Sequence, residues 1–360
     1  MIRRSIDALQ GDEILARPLM TPDYQVILPK GAKIKTNYIG KLRELGVDEV
    51  YITIETTQGE EKNDLTILKT DIEESAKKKV KDILERHTYK NNEELSELSH
   101  TADNIITNIL EEEKVTERVF DVKKRSTDIY EHSLSVCATA ILTALKVGLD
   151  KKTVHDVGVA CLLHDIGIRY ISFDVTDKDV DELSINEQSE YKKHPILGYT
   201  ALRREEWLSE DCKKMILFHH EHLDGTGFPM RSRDLSLACR IVAVCEVFDE
   251  MICGIGRKQM KVYEAIEYLK AFKNSRYDDR IVDVFLSFTA VYPVGTHVVT
   301  NEGEMAVVIG QNKGFQDRPI LRIEKDAEGN AVDEEVIIDL VKIQNIFIDC
   351  YVTNCVYIFF

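Results

Sequence analysis

The heptapeptide Cys161-Leu162-Leu163-His164-Asp165-Ile166-Gly167 determines the fold that we expect for this chain. It closes the apolar stretch from Val154 to Leu163, which predicts a buried helix that stops at the glycine. Burying adjacent His and Asp side chains without partners is unfavourable, and a metal ion is a partner that both can share. The alternative is a helix that ends in a histidine beside a solvated aspartate, and the heptapeptide alone leaves both open.

Histidines are concentrated around this heptapeptide. Seven of the ten lie between residues 132 and 222, where an even distribution would place about two or three. They are His132, His155, His164, His194, His219, His220 and His222. Imidazoles beside carboxylates suit divalent transition metals, so the crowding favours a metal centre over isolated core histidines.

Spacing places several of these side chains near one another. Asp128 and His132 lie four residues apart, which predicts one helical face and a common metal region. His219 and His220 follow the predicted helix Lys213–Phe218, and adjacent helical side chains diverge by about 100°. The pair therefore suits two different metals, or one metal and a ligand, better than a single metal. Glu246 lies in the apolar helix predicted from Leu237 to Met251 and needs a buried partner.

Two further features lie in loops. His194 precedes Pro195, which marks a helix boundary. The stretch Asp224-Gly225-Thr226-Gly227-Phe228-Pro229 holds two glycines and a proline, so its backbone can approach a ligand closely. A plain turn between two helices is the alternative interpretation.

The hydrophobic pattern divides the chain into four segments and predicts a mainly α fold with β-rich flanks. The segments are a small β-rich accessory domain at 1–60, a helical linker at 61–118, a helical domain at 119–290 and a β-rich extension at 291–360. The linker predicts two amphipathic helices. They either pack on the next domain or form a linker that signals or mediates a homodimer.

Strand patterns are clear in both flanks. The N-terminal segment has strand candidates at Tyr24–Leu28 and Glu49–Ile54, with a short helix between them that ends at Gly46. The C-terminal segment predicts a hairpin around Asn301–Glu304 and a second turn at Asp326–Asn330.

Composition excludes several classes of protein. The 360 residues include 47 Lys and Arg against 63 Asp and Glu, a net charge of −16, so neither a large nucleic acid nor an anionic membrane is expected as a partner. No apolar run approaches the ~18–20 residues of a membrane span, and no secretory signal is evident. Eight scattered cysteines without a Cys-x-x-Cys pair predict buried free thiols and a cytoplasmic protein.

Together, His132, His164-Asp165, His194, His219-His220 and the loop at 224–229 resemble the HD-GYP family of bacterial cyclic di-GMP phosphodiesterases, within the HD superfamily of metal-dependent phosphohydrolases. The resemblance covers about residues 119–290. The runs Ala16-Arg17-Pro18 and Leu28-Pro29-Lys30-Gly31 resemble the family's N-terminal accessory domain. The stretch from Tyr292 to Val308 resembles its β-rich extension.

The resemblance implies a role for each matching residue. The implied metal ligands are Asp128, His132, His164, Asp165, His194, His219, His220 and Glu246. Asp165 would bridge two metals and, with His164, would be catalytic. The implied substrate-binding residues are Asp224, Gly227, Phe228, Arg257, Lys258 and Lys261.

The chain departs from the family at several of these positions. Phe228 stands where the family has tyrosine, Ile168 where it has a phosphate-binding lysine, and His222 where it has arginine. Glu246 replaces an aspartate. The segment from Gly254 to Lys261 replaces an arginine-tyrosine-lysine run, and its three basic residues are candidates for the cationic role.

The resemblance implies a signalling enzyme that hydrolyses cyclic di-GMP to linear pGpG, GMP or both. The expected cofactors are two or three divalent metals per chain, with Fe or Mn preferred over Ni, Co or Zn. A hydroxide that bridges two of these metals would attack phosphorus. One alternative is a weakly active or inactive cyclic di-GMP receptor. Others are an HD phosphohydrolase for another nucleotide and a purely structural helical domain.

Overall fold

The computed structural model describes residues 2–6, 9, 11, 13–15, 19–20, 26–29, 31–45, 47, 49–53, 67–86, 95–111, 128–175 and 178–351. The chain divides into two compact units. One comprises Leu65–Pro293 with Gln311–Pro319, and the other comprises Met1–Asp64, Val294–Gly310 and Ile320–Phe360. The four segment boundaries drawn from the sequence remain predictions.

The N-terminal part of the second unit is a small β-rich structure with one helix. Its elements are β1 (Ile2–Ser5), β2 (Ile14–Leu15), β3 (Leu19–Met20), β4 (Val26–Leu28), α1 (Thr36–Glu44) and β5 (Glu49–Thr53). Antiparallel pairing gives the sheet order β1-β5-β2, and β3 pairs with β4. Both predicted strands are present over their described residues. The run 16–18, Lys30 and the helix stop at Gly46 lie outside the described residues.

The helical unit holds the remaining helices. They are α2 (Thr70–Arg86), α3 (Glu97–Glu111), α4 (Ile129–Val147), α5 (Lys151–Leu163), α6 (Ile185–Tyr191), α7 (His194–Leu202), α8 (Glu210–Phe218), α9 (Leu237–Cys253), α10 (Val262–Ala271) and α11 (Asp279–Leu286). The mainly α fold class predicted from the sequence is confirmed. Helices α4 and α9 are buried along most of their length, because their sequences are apolar on nearly every face.

Both linker helices pack on this core. Val80, Leu98 and Ile105 are fully buried in the same cluster as the apolar residues of α4 and α5. A Cβ at Gly158 would lie 3.3 Å from the Cβ of Ala102, so α3 approaches α5 closely. The packing alternative is therefore confirmed for these apolar faces. Dimerisation through the two helices stays a prediction.

An ion-pair cluster joins α2 to the first turn of α4. Lys77 Nζ lies 2.7 Å from Asp128 Oδ2 and 3.1 Å from Glu131 Oε2. Asp128 is also the N-cap of α4, because its Oδ1 accepts hydrogen bonds from the backbone N–H groups of Tyr130 and Glu131. This carboxylate thus begins α4 and binds the neighbouring helix.

The end of α5 differs from the prediction. The chain does not stop at Gly167 but continues as a 3-10 helix over His164–Tyr170. Gly167 is required for packing instead, because a Cβ there would lie 1.9 Å from the carbonyl oxygen of His194. The 3-10 helix and the start of α7 are consequently in direct backbone contact, which brings their histidines together.

The C-terminal sheet has five antiparallel strands in the order β10-β6-β7-β8-β9. They are β6 (His297–Thr300), β7 (Met305–Asn312), β8 (Phe315–Lys325), β9 (Ala331–Asp339) and β10 (Ile348–Tyr351). The turns predicted near 301–304 and 326–330 join β6 to β7 and β8 to β9. The last strand, β10, pairs with β6 at one edge of the sheet.

Two further expectations concern burial. Within the described residues, no helix combines the length and hydropathy that crossing a membrane requires. Six cysteines in the helical unit are buried free thiols, as predicted, whereas Cys350 on β10 is exposed.

Candidate metal centre

Three histidines of one buried cluster are held by the same type of local hydrogen bond. Each follows the last turn of a helix or a loop, and its Nδ1–H donates to a carbonyl three residues earlier. The donor–acceptor distances are 2.6 Å for His164 to Cys161, 2.8 Å for His194 to Tyr191 and 2.8 Å for His219 to Ile216. This bond keeps a proton on Nδ1 and turns each Nε2 toward the cluster, where the neutral ring has its free lone pair.

His132, from the first turn of α4, is held by a carboxylate. Its Nδ1 lies 2.8 Å from Asp249 Oδ2, and Asp249 also accepts hydrogen bonds from Ser135 Oγ and Cys253 Sγ. All of this network is buried. His132 therefore also presents Nε2 to the cluster, with Asp249 orienting its ring.

The first set of donors, here called site A, comprises His132, His164, Asp165 and Glu246. Glu246 places Oε1 3.1 Å from His132 Nε2 and Oε2 3.0 Å from His164 Nε2. Asp165 Oδ2 lies 3.3 Å from His164 Nε2. Such spacings match neighbouring ligands of one transition-metal ion, whose donors sit about 2 Å from it.

The second set, site B, comprises Asp165, His194, His219 and His220. His194 Nε2 lies 3.0 Å from His219 Nε2 and 3.3 Å from Asp165 Oδ1. Asp165 thus turns one carboxylate oxygen to site A and the other to site B. A bridging carboxylate between two cations has this arrangement.

Orphaned polar atoms show that the donor set fits a metal. Asp165 Oδ1 and His220 Nε2 are buried and make no hydrogen bond. Leaving such groups unsatisfied costs about 1–3 kcal/mol each, and more for charged groups. Neutral imidazoles and carboxylates in groups of four are ligands that bound divalent transition metals would satisfy.

The electrostatics differ between the two sites. Burial alone would lower the pKa of His164, but Asp165 and Glu246 raise it to about 10. Burial likewise opposes a charged His132, yet Glu246 and Asp249 raise its pKa well above the ordinary value. Burial, with His164 and His194 nearby, lowers the pKa of His219 to about 3. The metal-free protein therefore holds protonated histidines in site A and a neutral His219 in site B.

Asp128 is not part of either site. The sequence placed it on the face of His132, but the structure has it capping α4 and pairing with Lys77. Its own backbone is extended (φ −79°, ψ 115°), so helical spacing does not apply to it. The structure therefore does not bring this predicted ligand to the described donor groups.

The loop at 224–229 is organised mainly by contacts within itself. Asp224 Oδ1 accepts hydrogen bonds from the N–H (2.8 Å) and the hydroxyl (2.6 Å) of Thr226, and its Oδ2 lies 3.7 Å from Arg276. Gly227 is buried, and a Cβ there would lie 2.5 Å from the Cα of Glu221. These two predicted substrate contacts thus shape the loop beside His220, and their contact with a substrate stays a prediction.

Phe228 supports the metal-ligand candidates directly. Its ring stacks on the His220 imidazole, with centroids 4.4 Å apart and planes at 24°. It also joins an apolar cluster that contains Tyr191 and Ile168. Ile168, which stands where the resemblance implies a phosphate-binding lysine, is therefore part of an apolar wall beside site B.

The three predicted cationic residues differ in placement. Arg257 Nε lies 3.1 Å from Glu250 Oε2, next to the donor groups. Lys258 is exposed, and Lys261 Nζ lies 5.8 Å from the centre of the Tyr263 ring. Arg257 is thus placed beside the donor groups.

Sequence reasoning missed Asp249, Glu250 and Tyr191. Asp249 and Glu250 lie three and four residues after Glu246 on α9, so helical spacing alone places all three near one face. Burial raises the pKa of Glu250 to about 7, against the opposing effect of Arg257. Tyr191 donates its hydroxyl to Glu250 Oε1 at 3.2 Å, and no sequence signal marks that contact.

Fold and donors together define a helical domain built around buried metal-ligand candidates. A family model described as "HD domain" matches residues 86–281, more than half of the chain, and the chain belongs to this family. A model described as "KOW domain associated with HD domain" matches residues 297–356. The family and the buried clusters support divalent metal binding.

Several characterised proteins resemble the chain. The cyclic di-GMP phosphodiesterase PA4108 of Pseudomonas aeruginosa is 28% identical over 246 residues, covering 67% of this chain and 59% of that protein. The cyclic di-GMP phosphodiesterase response regulator RpfG of Xanthomonas campestris is 33% identical over 149 residues, 40% of this chain and 39% of that protein. The chain thus spans less than two thirds of these relatives.

A solved structure shows the same fold. Bd1817, an HDG"Y"P protein from Bdellovibrio bacteriovorus, aligns with a TM-score of 0.54 and 17% identity. The alignment covers 79% of this chain and 97% of Bd1817.

Proposed function

We propose that this chain is a metal-dependent phosphodiesterase that hydrolyses cyclic di-GMP to linear pGpG, GMP or both. The observation that carries the proposal is the position of Asp165, which directs one oxygen to site A and the other to site B at 3.3 Å from a histidine Nε2 in each. Paired donor groups around one carboxylate suit in-line phosphodiester hydrolysis.

In this proposal, sites A and B each hold one divalent cation, Fe or Mn in the first instance. His132, His164, Asp165 and Glu246 would hold the first, and Asp165, His194, His219 and His220 the second. When bound, such cations activate water near neutral pH and offset the charge that develops on phosphate oxygens.

The protein's own contribution is preorganisation. Carbonyl acceptors hold His164, His194 and His219 with Nε2 inward, so no ring has to reorient when a ligand binds. The stacked ring of Phe228 fixes His220 and covers it from solvent. Asp165 and Glu246 supply the negative charge that makes multiple cations tolerable in a buried site.

Two relatives and the position of one basic residue support the proposed substrate. PA4108 and RpfG are both cyclic di-GMP phosphodiesterases, and they support the same substrate here. Arg257, beside the cluster, is the best placed of the predicted cations to face a phosphate. Another relative, the 3′3′-cGAMP-specific phosphodiesterase 2 of Vibrio cholerae, makes cyclic GMP-AMP the comparison substrate.

The test combines metal analysis with turnover. The protein is purified anaerobically, its metals are measured by elemental analysis, and products from cyclic di-GMP and cyclic GMP-AMP are separated by chromatography. We expect linear product from the wild type and none from Asp165→Asn. Asp234→Asn, the same change at an exposed carboxylate, should retain turnover.

Two results would contradict the proposal. One is stoichiometric metal with intact substrate, also after reconstitution with Mn, which would favour a receptor. The other is turnover of cyclic GMP-AMP alone, which would keep the reaction class and change the substrate.

A further inference from the structure

A third set of donors lies against both metal sites. It comprises His220, Glu246 and Glu250, all buried, with ligand atoms within 4.8 Å of one another. We propose that these three residues form a third divalent-cation site in which Glu250 is the decisive ligand. The inference deepens the proposed function, because it adds a cation to the same centre.

Each pair of these donor sets has one residue in common. Sites A and B share Asp165, site A and the third set share Glu246, and site B and the third set share His220. Carboxylates bridge cations through their two oxygens, so Asp165 and Glu246 can each serve two sites. The single Nε2 of His220 binds one cation at a time. With all three sites filled it binds the third cation, and site B keeps Asp165, His194 and His219, as many ligands as a catalytic metal site needs from the protein.

Glu250 is already set up as a ligand. Its Oε2 accepts a hydrogen bond from Arg257 Nε at 3.1 Å, and its Oε1 accepts one from the Tyr191 hydroxyl at 3.2 Å. The same Oε1 lies 3.9 Å from His220 Nε2. Two donors about 2.1 Å from one ion lie at most about 4.2 Å apart, so this pair can share an ion as it stands.

An unpartnered polar atom faces this place. His220 Nε2 is buried and has no hydrogen-bond partner, although its ring is fixed by stacking on Phe228. Without Glu250, the place would offer only His220 and Glu246, which is too few protein ligands for a stable site. The carboxylate of Glu250 is what completes it.

The backbone keeps Glu250 in this position. Gly256 has φ +65°, and a Cβ there would lie 2.4 Å from the Tyr191 hydroxyl and 3.4 Å from Glu250 Oε1. The carbonyl of Gly256 also accepts a hydrogen bond from the N–H of Val180 at 3.2 Å. The loop after α9 thus closes over the tyrosine–glutamate pair.

Metal counting tests the inference. The metal-free chain of residues 1–360 is loaded with Mn²⁺, freed of excess by gel filtration and analysed for metal per chain. We expect three equivalents for the wild type, two for Glu250→Gln, and three for Asp128→Asn, which removes a carboxylate outside the clusters. Circular dichroism checks that each variant is folded.

Should Glu250→Gln fail to fold, Tyr191→Phe replaces it. That variant keeps the ring and removes one hydrogen bond to Glu250, so the third equivalent should bind about 10-fold more weakly, with the first two unchanged. Titration against a Mn²⁺-chelating dye measures this shift.

Three results would overturn the third site. They are two equivalents in the wild type, an unchanged count in Glu250→Gln, or loss of the third equivalent in Asp128→Asn alone. Turnover measured in parallel separates this failure from that of the proposed function. Two equivalents with turnover refute only the third site, and three without turnover refute only the phosphodiesterase.

Discussion

The contact between Asp249 and His132 makes a quantitative prediction for the substitution Asp249→Asn. The asparagine keeps an oxygen that can accept the Nδ1–H of His132, but it removes the negative charge 2.8 Å from that nitrogen. The ring keeps its orientation and becomes a weaker donor toward a cation at Nε2. The fold should persist, because the side chains have the same shape.

The magnitude follows from the position of Asp249. Loss of a carboxylate that supports a metal-bound histidine typically weakens metal binding 10- to 100-fold, which is about 1.4–2.7 kcal/mol. Asp249 is 1% exposed, so solvent screens little of its charge. We therefore expect the site A equivalent to weaken by at least about 10-fold, and the site B equivalent to change less.

The assay is a competition titration of metal-free protein with Mn²⁺ against a chelating dye, which resolves successive equivalents. Asp156→Asn is a matched control, because Asp156 lies 3.7 Å from His155, a histidine outside both sites. The control should leave every equivalent unchanged. If Asp249→Asn binds all equivalents within threefold of the wild type, then Asp249 does not support a metal ligand and site A is misassigned.

Three more predictions concern the same centre. Gly167→Ala should destabilise the protein by about 1–3 kcal/mol in urea denaturation and weaken site B, because the new Cβ would displace the backbone at His194; unchanged stability would contradict this packing. Asp128→Ala should cost about 1–2 kcal/mol through its lost cap without changing the metal count, and a lost equivalent would show that it is a ligand after all. At pH 7, filling site A should release two protons, one each from His132 and His164, whose pKa values are raised when metal-free. Affinity should therefore rise with pH toward about 10, the pKa of His164; calorimetry in two buffers counts the protons, and no release would refute the assignment.

Sequence reasoning located most of the centre, because its signals are local and chemical. Histidine next to aspartate at a helix end, a histidine pair and a carboxylate in an apolar helix are each unfavourable without a shared partner. The structure brings these five residues, together with His132 and His194, into sites A and B, and the roles of all seven as ligands remain the proposal tested above. The seven are His132, His164, Asp165, His194, His219, His220 and Glu246.

Three features of the centre could not be predicted from the sequence, each for a physical reason. Asp128 lies apart from both donor sets because the i, i+4 rule requires both residues to be helical, and this cap residue has an extended backbone. Glu250 was missed although it lies four residues after Glu246, because only the tertiary contacts with Tyr191 and Arg257 show that it turns inward. Gly167 required knowledge of where α7 passes, which no local pattern contains.

The packing of α2 and α3 sets where an active fragment of this protein can begin. A fragment starting at residue 119 would lack Val80, Leu98 and Ile105, which are fully buried, and would expose the faces of α4 and α5 that they cover. Such a surface promotes self-association. Inactivity of that fragment would therefore report aggregation, not the removal of a regulatory segment.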